Sequence, residues 1–192
     1  MIAYKGFTKD LTATRGKGVY KYTIGETVKE EKSKTVASGF HCCENPFECL
    51  TYYPLGCGNR YLQVEASGSI DEDDCERIAC TELTLIKELT LKEFAGYGMM
   101  YIVQHPMRKK WKQFYNGLQV QENEAVAEEK DHIAIARGKN PKVKGKEGSL
   151  LGLILETPQG EIIGAKLLVV GEEVKPDTWY TLNTNRELEE VT

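Results

Sequence analysis

The stretch Ile133-Ala-Ile-Ala-Arg-Gly-Lys-Asn-Pro-Lys-Val-Lys-Gly145 decides the fold of the second half of this chain. Gly138 and Gly145 are seven residues apart, and Gly152 continues the spacing. Small or apolar residues stand four and two positions before each glycine. Because glycine accepts backbone conformations that other residues avoid, we expect a strand to turn a corner at each of the three. A fixed period of this kind predicts stacked β-coils, since one coil cannot bury its own apolar face.

The same spacing has an alternative interpretation, an antiparallel sheet whose glycines mark hairpin turns. The repeat is also basic, with five basic residues and no acid from Arg137 to Lys146. Such a band is either a solvated face that keeps edge strands apart or a site for a polyanion. It lacks the aromatic residues that stack on bases, so the solvated face is favoured and a nucleic-acid partner is not expected.

The rest of the chain differs in composition from this repeat. The 192 residues carry a net charge of −4, which excludes a globally basic nucleic-acid binder. All six cysteines lie between Cys42 and Cys80, and 15 of the 17 aromatic residues lie at or before Tyr115. We therefore predict an α+β domain over residues 1–105 and a helical connector over residues 106–130. An all-β module of short β-roll coils with an antiparallel β cap follows over residues 131–192.

The absence of certain sequence motifs predicts the cellular compartment and argues against a metal site. It begins without the basic and apolar segments of a secretory signal, and no apolar run approaches the ~20 residues of a membrane helix. A cytoplasmic protein with reduced thiols and no membrane partner is therefore expected. The cysteine spacing contains no Cys-x-x-Cys pair, so no metal site is predicted.

The order of motifs in the first module resembles the ADP-ribosyltransferase fold. Tyr4-Lys5-Gly6 lies in the first predicted strand, and Gly39-Phe40-His41 leads into a short helix that Asn45 and Pro46 begin and Tyr52-Tyr53 end. In that family, such strands hold NAD and a later strand carries a catalytic glutamate. The resemblance therefore implies a nucleotide-like site with these ligand-binding residues: Tyr4, Lys5, Gly6, Phe40, His41, Tyr52, Tyr53 and Glu82.

This sequence departs from the family's pattern at the positions on which the family's chemistry depends. Lys5 stands in place of an arginine or histidine, and a lysine cannot form the same fork of hydrogen bonds. Glu82 and Glu88 are both candidates for the glutamate, so no catalytic residue is assigned. The alternative interpretation is that Tyr4, Phe40, Tyr52 and Tyr53 are simply core aromatic residues.

Two further resemblances concern assembly and origin. The stretch from Ile133 to Gly145 is similar to the head repeat of trimeric autotransporter adhesins, although Arg137 stands where that motif has glycine. This resemblance implies a left-handed parallel β-roll and a homotrimer. Residues 3–11 (AYKGFTKDL), 39–46 (GFHCCENP) and 60–66 (RYLQVEA) are similar to an uncharacterised family encoded mostly by bacteriophages and prophages of gut-type bacteria.

Three functional hypotheses follow from these resemblances. The first is a phage-type accessory protein in the cytoplasm of a bacterial host. Its first module binds a small anionic, nucleotide-like ligand or a host protein without a cofactor, and its second module trimerises it. The second hypothesis is an active mono-ADP-ribosyltransferase that uses NAD. The third is a virion structural protein.

Overall fold

The computed structural model describes residues 1–13, 18–35, 37–72, 77–107 and 114–191, and in these residues the fold is mostly β. The chain divides into two compact units, Met1–Phe94 and Ala95–Thr192. The division falls inside the α-helix α1 (Leu91–Gln104) rather than at the predicted residue 105. None of the described helices is both long enough and apolar enough to cross a membrane.

The described part of the first unit contains a 3-10 helix (Pro46–Thr51) and seven strands. The strands are β1 (Ile2–Phe7), β2 (Thr12–Ala13), β3 (Tyr20–Lys21), β4 (Thr27–Lys29), β5 (Phe40–Cys43), β6 (Arg60–Glu72) and β7 (Arg77–Glu88). The sequence predicts an α+β domain here. The first unit is instead largely an antiparallel sheet, because its only share of α1 is the first turn.

The main sheet of the first unit closes on itself. β1 pairs with β5 and β6, and β7 pairs with β5 and β6 as well, all in antiparallel register. The circuit β1–β5–β7–β6 therefore returns to its start, and β4 adds to β7 beside β5. Alternate side chains point into this closed sheet and form its core, which consists of Ala3, Phe7, Phe40, Cys42, Leu62, Val64, Ala66, Ile78, Cys80, Leu83 and Leu85, with Tyr22 packed among them.

The short helix predicted after Asn45 is present as a 3-10 helix. The Asn45 side-chain oxygen accepts a hydrogen bond from the Phe47 backbone N–H at 3.1 Å, and Pro46 occupies the first turn. The chain after this helix packs on β1, because a Cβ atom added at Gly6 would lie 2.6 Å from Cδ2 of Tyr53. Gly6 thus lets the Tyr53 ring lie directly on the strand.

The helix α1 begins with a capping box that the sequence analysis did not identify. The Thr90 hydroxyl accepts from the Glu93 N–H at 3.2 Å, and the Glu93 carboxylate accepts from the Thr90 N–H at 2.9 Å. Within the first unit, Phe94 stacks on Tyr61 with ring centroids 4.3 Å apart and meets the edge of Phe47 at 5.7 Å. These contacts fix the first turn of α1 on the outer face of the closed sheet.

The second unit contains the rest of α1 and seven described strands. They are β8 (Phe114–Tyr115), β9 (Leu118–Ala127), β10 (Ile133–Gly145), β11 (Leu150–Glu156), β12 (Ile162–Val169), β13 (Trp179–Leu182) and β14 (Leu188–Val191). The helical connector predicted over residues 106–130 is wrong from Phe114 onward. Leu118–Ala127 is a strand that pairs with β10, and its apolar positions 118, 120, 125 and 127 are buried. The many polar residues between these positions conceal the strand pattern in the sequence. Residues 108–113 of the predicted connector lie outside the described residues.

Three consecutive strands of this unit are parallel neighbours. β10 pairs in parallel with β9, where Ile133 lies opposite Leu118, and with β11, where Leu150 lies opposite Ile133. One coil of the chain therefore takes 15 and then 17 residues. Parallel strands usually need a crossover of a dozen or more residues, yet only residues 128–132 and 146–149 connect these. Part of the return therefore lies within the strands, where Asn123 of β9 and Gly138 of β10 have positive φ and the register shifts.

The predicted glycine corners are correct at one position and wrong at another. Gly138 has φ +142° and lies where the register of β10 against β9 shifts. Gly152, in contrast, lies inside β11 opposite Ile135. A Cβ atom there would come within 2.8 Å of Ile135 and 2.7 Å of the Met99 sulfur. Position 152 therefore requires a glycine because α1 packs against it, and not because the chain turns there.

The stacked coils carry an antiparallel cap, as the sequence predicts. β12 pairs with β11 along its whole length, β13 pairs with β10 at Val143, and β14 pairs with β13. One buried core runs through coils and cap, and it contains Ala125, Ala127, Ala134, Ala136, Val143, Leu151, Leu153, Leu155, Leu168, Val170, Val174, Tyr180 and Leu182. Polar side chains alternate with this core over residues 118–121 of β9 and 141–145 of β10, whereas the first five residues of β10 and the whole of β11 are buried on both faces.

Candidate functional site

Lys5 is the predicted ligand-binding residue whose surroundings differ most from expectation. It lies on β1 between Ala3 and Phe7, so its side chain points into the closed sheet, and only 9% of it is exposed. Its ammonium donates a hydrogen bond to the backbone carbonyl of His41 at 2.5 Å. The rings of Phe7 and Tyr22 lie 5.6 and 5.9 Å from the ammonium nitrogen. Lys5 is thus a cation in an apolar interior.

Thiols complete the surroundings of Lys5. Burial lowers the pKa of Lys5, and the nearby thiols of Cys42, Cys43, Cys49 and Cys80 oppose part of that effect. The described residues contain no group of three or more histidine, cysteine, aspartate or glutamate side chains that could hold a metal ion. Cys42, Cys43, Cys49 and Cys80 are all buried and are not in disulfide bonds.

Tyr4, His41 and Arg77 lie on the opposite, outer face of the same strands. Tyr4 pairs with Cys43 on β5, and Cys43 pairs with Arg77 on β7. Directly opposed residues share one face of an antiparallel sheet, and His41 shares the face of Cys43 two positions away. All three side chains are partly exposed or half-buried. The register thus brings a phenol, an imidazole and a guanidinium together on one patch, which we call the outer basic patch (Tyr4, His41 and Arg77).

The pKa of His41 reflects its burial and the positive charges near it. Burial lowers the pKa of His41 most, and the positive charge of Lys5 beneath the sheet lowers it further. Backbone hydrogen bonds with Lys34 and Gly39 act in the opposite direction, and the charge of Arg77 again lowers the pKa. His41 is therefore held between two cations from neighbouring strands.

The remaining aromatic members of the predicted site are divided between core and surface. Phe40 points into the closed sheet and packs edge-on against Tyr22 at 6.2 Å, so it is a core residue. Tyr53 is buried on Gly6, on the outer face that also carries Tyr4. Tyr52 is exposed at the end of the 3-10 helix. Gly6 and Tyr53 therefore border the outer basic patch, whereas Phe40 does not.

The two candidate glutamates are not assembled with Lys5. Glu82 forms an ion pair with Lys29 of β4 at 2.9 Å, and its side chain is 35% exposed. Glu88 forms a two-point ion pair with Arg60 at 2.6 and 2.7 Å, which lowers the pKa of Glu88. Lys5 lies in the interior of the sheet while both carboxylates are accessible outside it.

The basic band of the repeat is largely neutralised by its own unit. Arg137 forms a buried ion pair with Glu156, with Nε 2.7 Å from Oε1, and both side chains are 6% exposed. The other contacts of the band are Lys142 with Glu124 at 3.7 Å, Lys146 with Asp177 at 2.8 Å, and Lys144 over the ring of Trp179 at 4.9 Å. Four of the five basic side chains of the band thus have a contact within the unit, and Arg137 is buried instead of lying on the expected solvated face.

Arg77 is the member of the patch that sequence reasoning missed. In the sequence it only begins a β-rich segment, and its neighbours 73–76 are acidic or thiol residues. Its place beside His41 depends on the pairing of β5 with β7, two strands that are more than thirty residues apart. The signal that would have found it is the alternation of Arg77 and Ala79 against Cys43 and His41, once that pairing is known.

Comparison with protein families assigns the first unit. The chain belongs to a family described as a domain of unknown function, DUF7666, whose model matches residues 1–97. That match covers the closed sheet, the 3-10 helix and the first half of α1. No curated protein and no solved structure shows significant similarity to the chain. The expectation of an uncharacterised family is confirmed to this extent.

Proposed function

We propose that this chain is a phage-type accessory protein that binds a small anionic ligand with its first unit and trimerises through its second. The observation that carries the ligand is the position of His41 on β5 between Lys5 of β1 and Arg77 of β7, since burial and these two positive charges together lower the pKa of His41. An anion relieves such repulsion, so its binding is favoured where cations have been brought together.

These residues have different roles in this proposal. Arg77 provides a planar fork for a phosphate or carboxylate, and His41 becomes a second donor when the anion raises its pKa. Tyr4 lies on the same face, with Cys43 of β5 between it and Arg77. Lys5 contributes charge from beneath the sheet without touching the ligand, because its ammonium is committed to the His41 carbonyl. A host protein would bind here through an acidic side chain.

Binding without turnover is the form of the proposal that the geometry supports. A transferase of the ADP-ribosyl type needs a carboxylate beside the bound nucleotide. Glu82 and Glu88 are held by Lys29 and Arg60 instead, on the accessible outside of the sheet. NAD is therefore a ligand to be tested rather than the expected substrate.

The trimer rests on the parallel coils of the second unit. β9, β10 and β11 stack in parallel with connections of four and five residues, the arrangement that the adhesin-like repeat implies. The stack has three parallel strands, and repeat folds need neighbours for stability. We infer that three left-handed rolls associate, with Arg137 kept inside each roll by Glu156.

Calorimetric titration of the full chain with inorganic phosphate, ADP-ribose and NAD tests the ligand. We expect binding of at least one of these probes, weakened about tenfold or more in Arg77→Met and in His41→Gln. Lys29→Met is the matched control, since it removes an exposed cation of the same sheet that pairs with Glu82. Absence of heat with all three probes, or equal loss in the control, contradicts the anion site.

Assembly is tested separately on the same protein. Size-exclusion chromatography with light scattering should give three times the 21.6 kDa chain mass. A monomer at micromolar concentration contradicts the trimer and leaves the ligand site standing. The two halves of the proposal therefore fail independently.

A further inference from the structure

The turn between β8 and β9 consists of two residues, Asn116 and Gly117. Tyr115 pairs with Leu118 in antiparallel register, so the chain reverses its direction within these two residues. Gly117 has φ +85°, a conformation that glycine adopts without steric cost. Its carbonyl accepts a hydrogen bond from the N–H of Ile133, the first residue of β10, at 2.7 Å. The turn therefore links the start of β9 to the start of β10.

The Asn116 side chain is exposed at this turn. In the part of the chain that the structure describes, its carboxamide has no hydrogen-bond partner and the Gly117 N–H donates to no acceptor. No other asparagine of the chain precedes a glycine. Because glycine has no Cβ, no side chain shields the Gly117 nitrogen from the carboxamide carbon of Asn116. Both groups are thus free to react with each other.

We propose that Asn116 deamidates spontaneously in the native fold, and that the isoaspartate formed there weakens the turn between β8 and β9. Water is the reactant and ammonia is the leaving group, so the modification needs no enzyme. The site lies wholly in the second unit and depends neither on ligand binding at the outer basic patch nor on trimerisation.

The reaction proceeds through a five-membered succinimide. Hydroxide removes the proton of the Gly117 nitrogen, which attacks Cγ of Asn116. A bond forms between this nitrogen and Cγ, the bond from Cγ to the side-chain nitrogen breaks, and ammonia leaves after taking up a proton. Water then opens the ring at one of its two carbonyls. Opening at the side-chain carbonyl gives aspartate, and opening at the backbone carbonyl gives isoaspartate, in which the chain continues through Cγ.

Isoaspartate changes the turn more than aspartate does. The length of its turn fixes the register of a hairpin, and isoaspartate adds one main-chain carbon to this turn of two residues. The pair Tyr115–Leu118 and the hydrogen bond from Ile133 to Gly117 then no longer fit the same geometry. Aspartate keeps the chain length and is itself a common turn residue. A loss of stability is therefore expected from isoaspartate and not from the added charge.

Asn123 on β9 provides an internal comparison for Asn116. Its neighbour Glu124 has a side chain beside the backbone nitrogen, which hinders closure of the five-membered ring. The carboxamide of Asn123 also lies against β10, since a Cβ atom added at Gly138 would be 2.9 Å from its Oδ1. Trypsin releases both asparagines in one peptide, residues 113–130, so a single peptide reports on both.

The experiment incubates the native full chain at mildly alkaline pH, digests it with trypsin and locates the mass increase of deamidation by fragmentation. A parallel sample is kept unfolded in urea. We expect Asn116 of the native chain to deamidate within about tenfold of its rate in the unfolded chain, and Asn123 to react at least about tenfold more slowly than Asn116. A native rate at Asn116 that is more than about tenfold below the unfolded rate, or a rate at Asn123 within that factor of Asn116, overturns the proposal.

Two substitutions separate the modification from its effect on the fold. Asn116→Gln replaces an exposed side chain that has no partner in the described structure and disfavours ring closure, so an isoaspartyl methyltransferase should label the aged wild type but not this aged variant. Asn116→Asp, measured fresh, has the charge without the extra carbon and should keep the thermal midpoint, whereas the aged wild type loses about 2–4 °C. Equal labelling of the wild type and Asn116→Gln, or an aged wild type as stable as the fresh protein, contradicts the proposal.

Discussion

Lys5 and Arg137 are both buried cations in β-sheets, one in each unit, and they are held in different ways. Arg137 has a carboxylate partner in Glu156 and donates a further hydrogen bond to the carbonyl of Pro106 at 2.8 Å. Lys5 has a single backbone carbonyl at 2.5 Å, with aromatic rings and thiols around it. The first cation is part of a completed polar network, and the second is a charge in an apolar core.

This difference in partners predicts opposite effects on stability when each cation is removed. A buried ion pair is costly to break because the remaining charge has no partner, although replacing both members by apolar residues is often harmless. A buried cation without a carboxylate costs free energy wherever its pKa is lowered, since the unfolded chain holds the proton more readily. Arg137 thus stabilises the fold through its ion pair, whereas Lys5 lowers the stability of the fold and is expected to have a functional role.

The largest effect that separates the two cations is expected from Glu156→Leu. This change leaves Arg137 buried without its carboxylate and should lower the free energy of unfolding of the second unit by about 3–5 kcal/mol. Urea unfolding followed by circular dichroism measures it. The double variant Arg137→Met with Glu156→Leu is the control, and it should recover most of the loss. If the double variant is as unstable as the single one, the pair is not what holds this part of the sheet.

Packing within the second unit is tested at Gly152, next to the same strands. Gly152→Ala places a methyl group 2.7 Å from the Met99 sulfur and 2.8 Å from Ile135, so we expect a loss of about 1–3 kcal/mol. Gly96→Ala is the matched change on α1, because its nearest neighbour is 3.9 Å away at Leu167. It should raise the stability by roughly 0.5–1 kcal/mol through helix propensity. Similar thermal midpoints for the two variants would contradict the contact between α1 and β11.

The opposite sign is expected for the other cation. Lys5→Met removes a buried charge from an apolar interior and should raise the free energy of unfolding by about 1–2 kcal/mol at neutral pH. Lys29→Met, which removes an exposed ion-pair member, should change it by less than about 1 kcal/mol. Denaturant titration of both variants gives the comparison. If Lys5→Met is strongly destabilised, Lys5 stabilises the fold as Arg137 does, and the expected difference between the two cations is wrong.

The same variant has a defined dependence on pH. Because burial lowers the pKa of Lys5 below its usual 10.5, the unfolded chain binds more protons than the folded one up to that pH. The stability of the wild type therefore rises relative to Lys5→Met as the pH increases towards 10.5. The advantage of the variant should shrink between pH 7 and 10, and an advantage that grows in this range would contradict the burial of a titrating ammonium.

Sequence alone was sufficient for the local features and insufficient for those that depend on register. The cap formed by Asn45 and Pro46 and the coils around Gly138 follow from short-range patterns, and the structure contains both. The strand Leu118–Ala127 was missed because its exposed glutamates hide four buried apolar positions. The inward position of Lys5 and the place of Arg77 beside His41 depend on strands that meet across tens of residues. No local pattern encodes which face of such a strand is the interior.

The smallest effect is expected at the start of α1, where the carboxylate of Glu93 is exposed and already has hydrogen-bond partners. Hydrogen bonds from Lys87 and from the Thr90 N–H lower the pKa of Glu93 to about 2. A depressed carboxyl pKa stabilises the fold above the usual value of 4.5, and this contribution is lost as the pH falls towards 2. Glu93→Gln should flatten the pH dependence of the urea midpoint in that range, and Thr90→Ala should cost roughly 0.5–1 kcal/mol at neutral pH. An unchanged acid limb in Glu93→Gln would mean that Glu93 is solvated and that, unlike Lys5 and Arg137, its charge has no measurable consequence for folding.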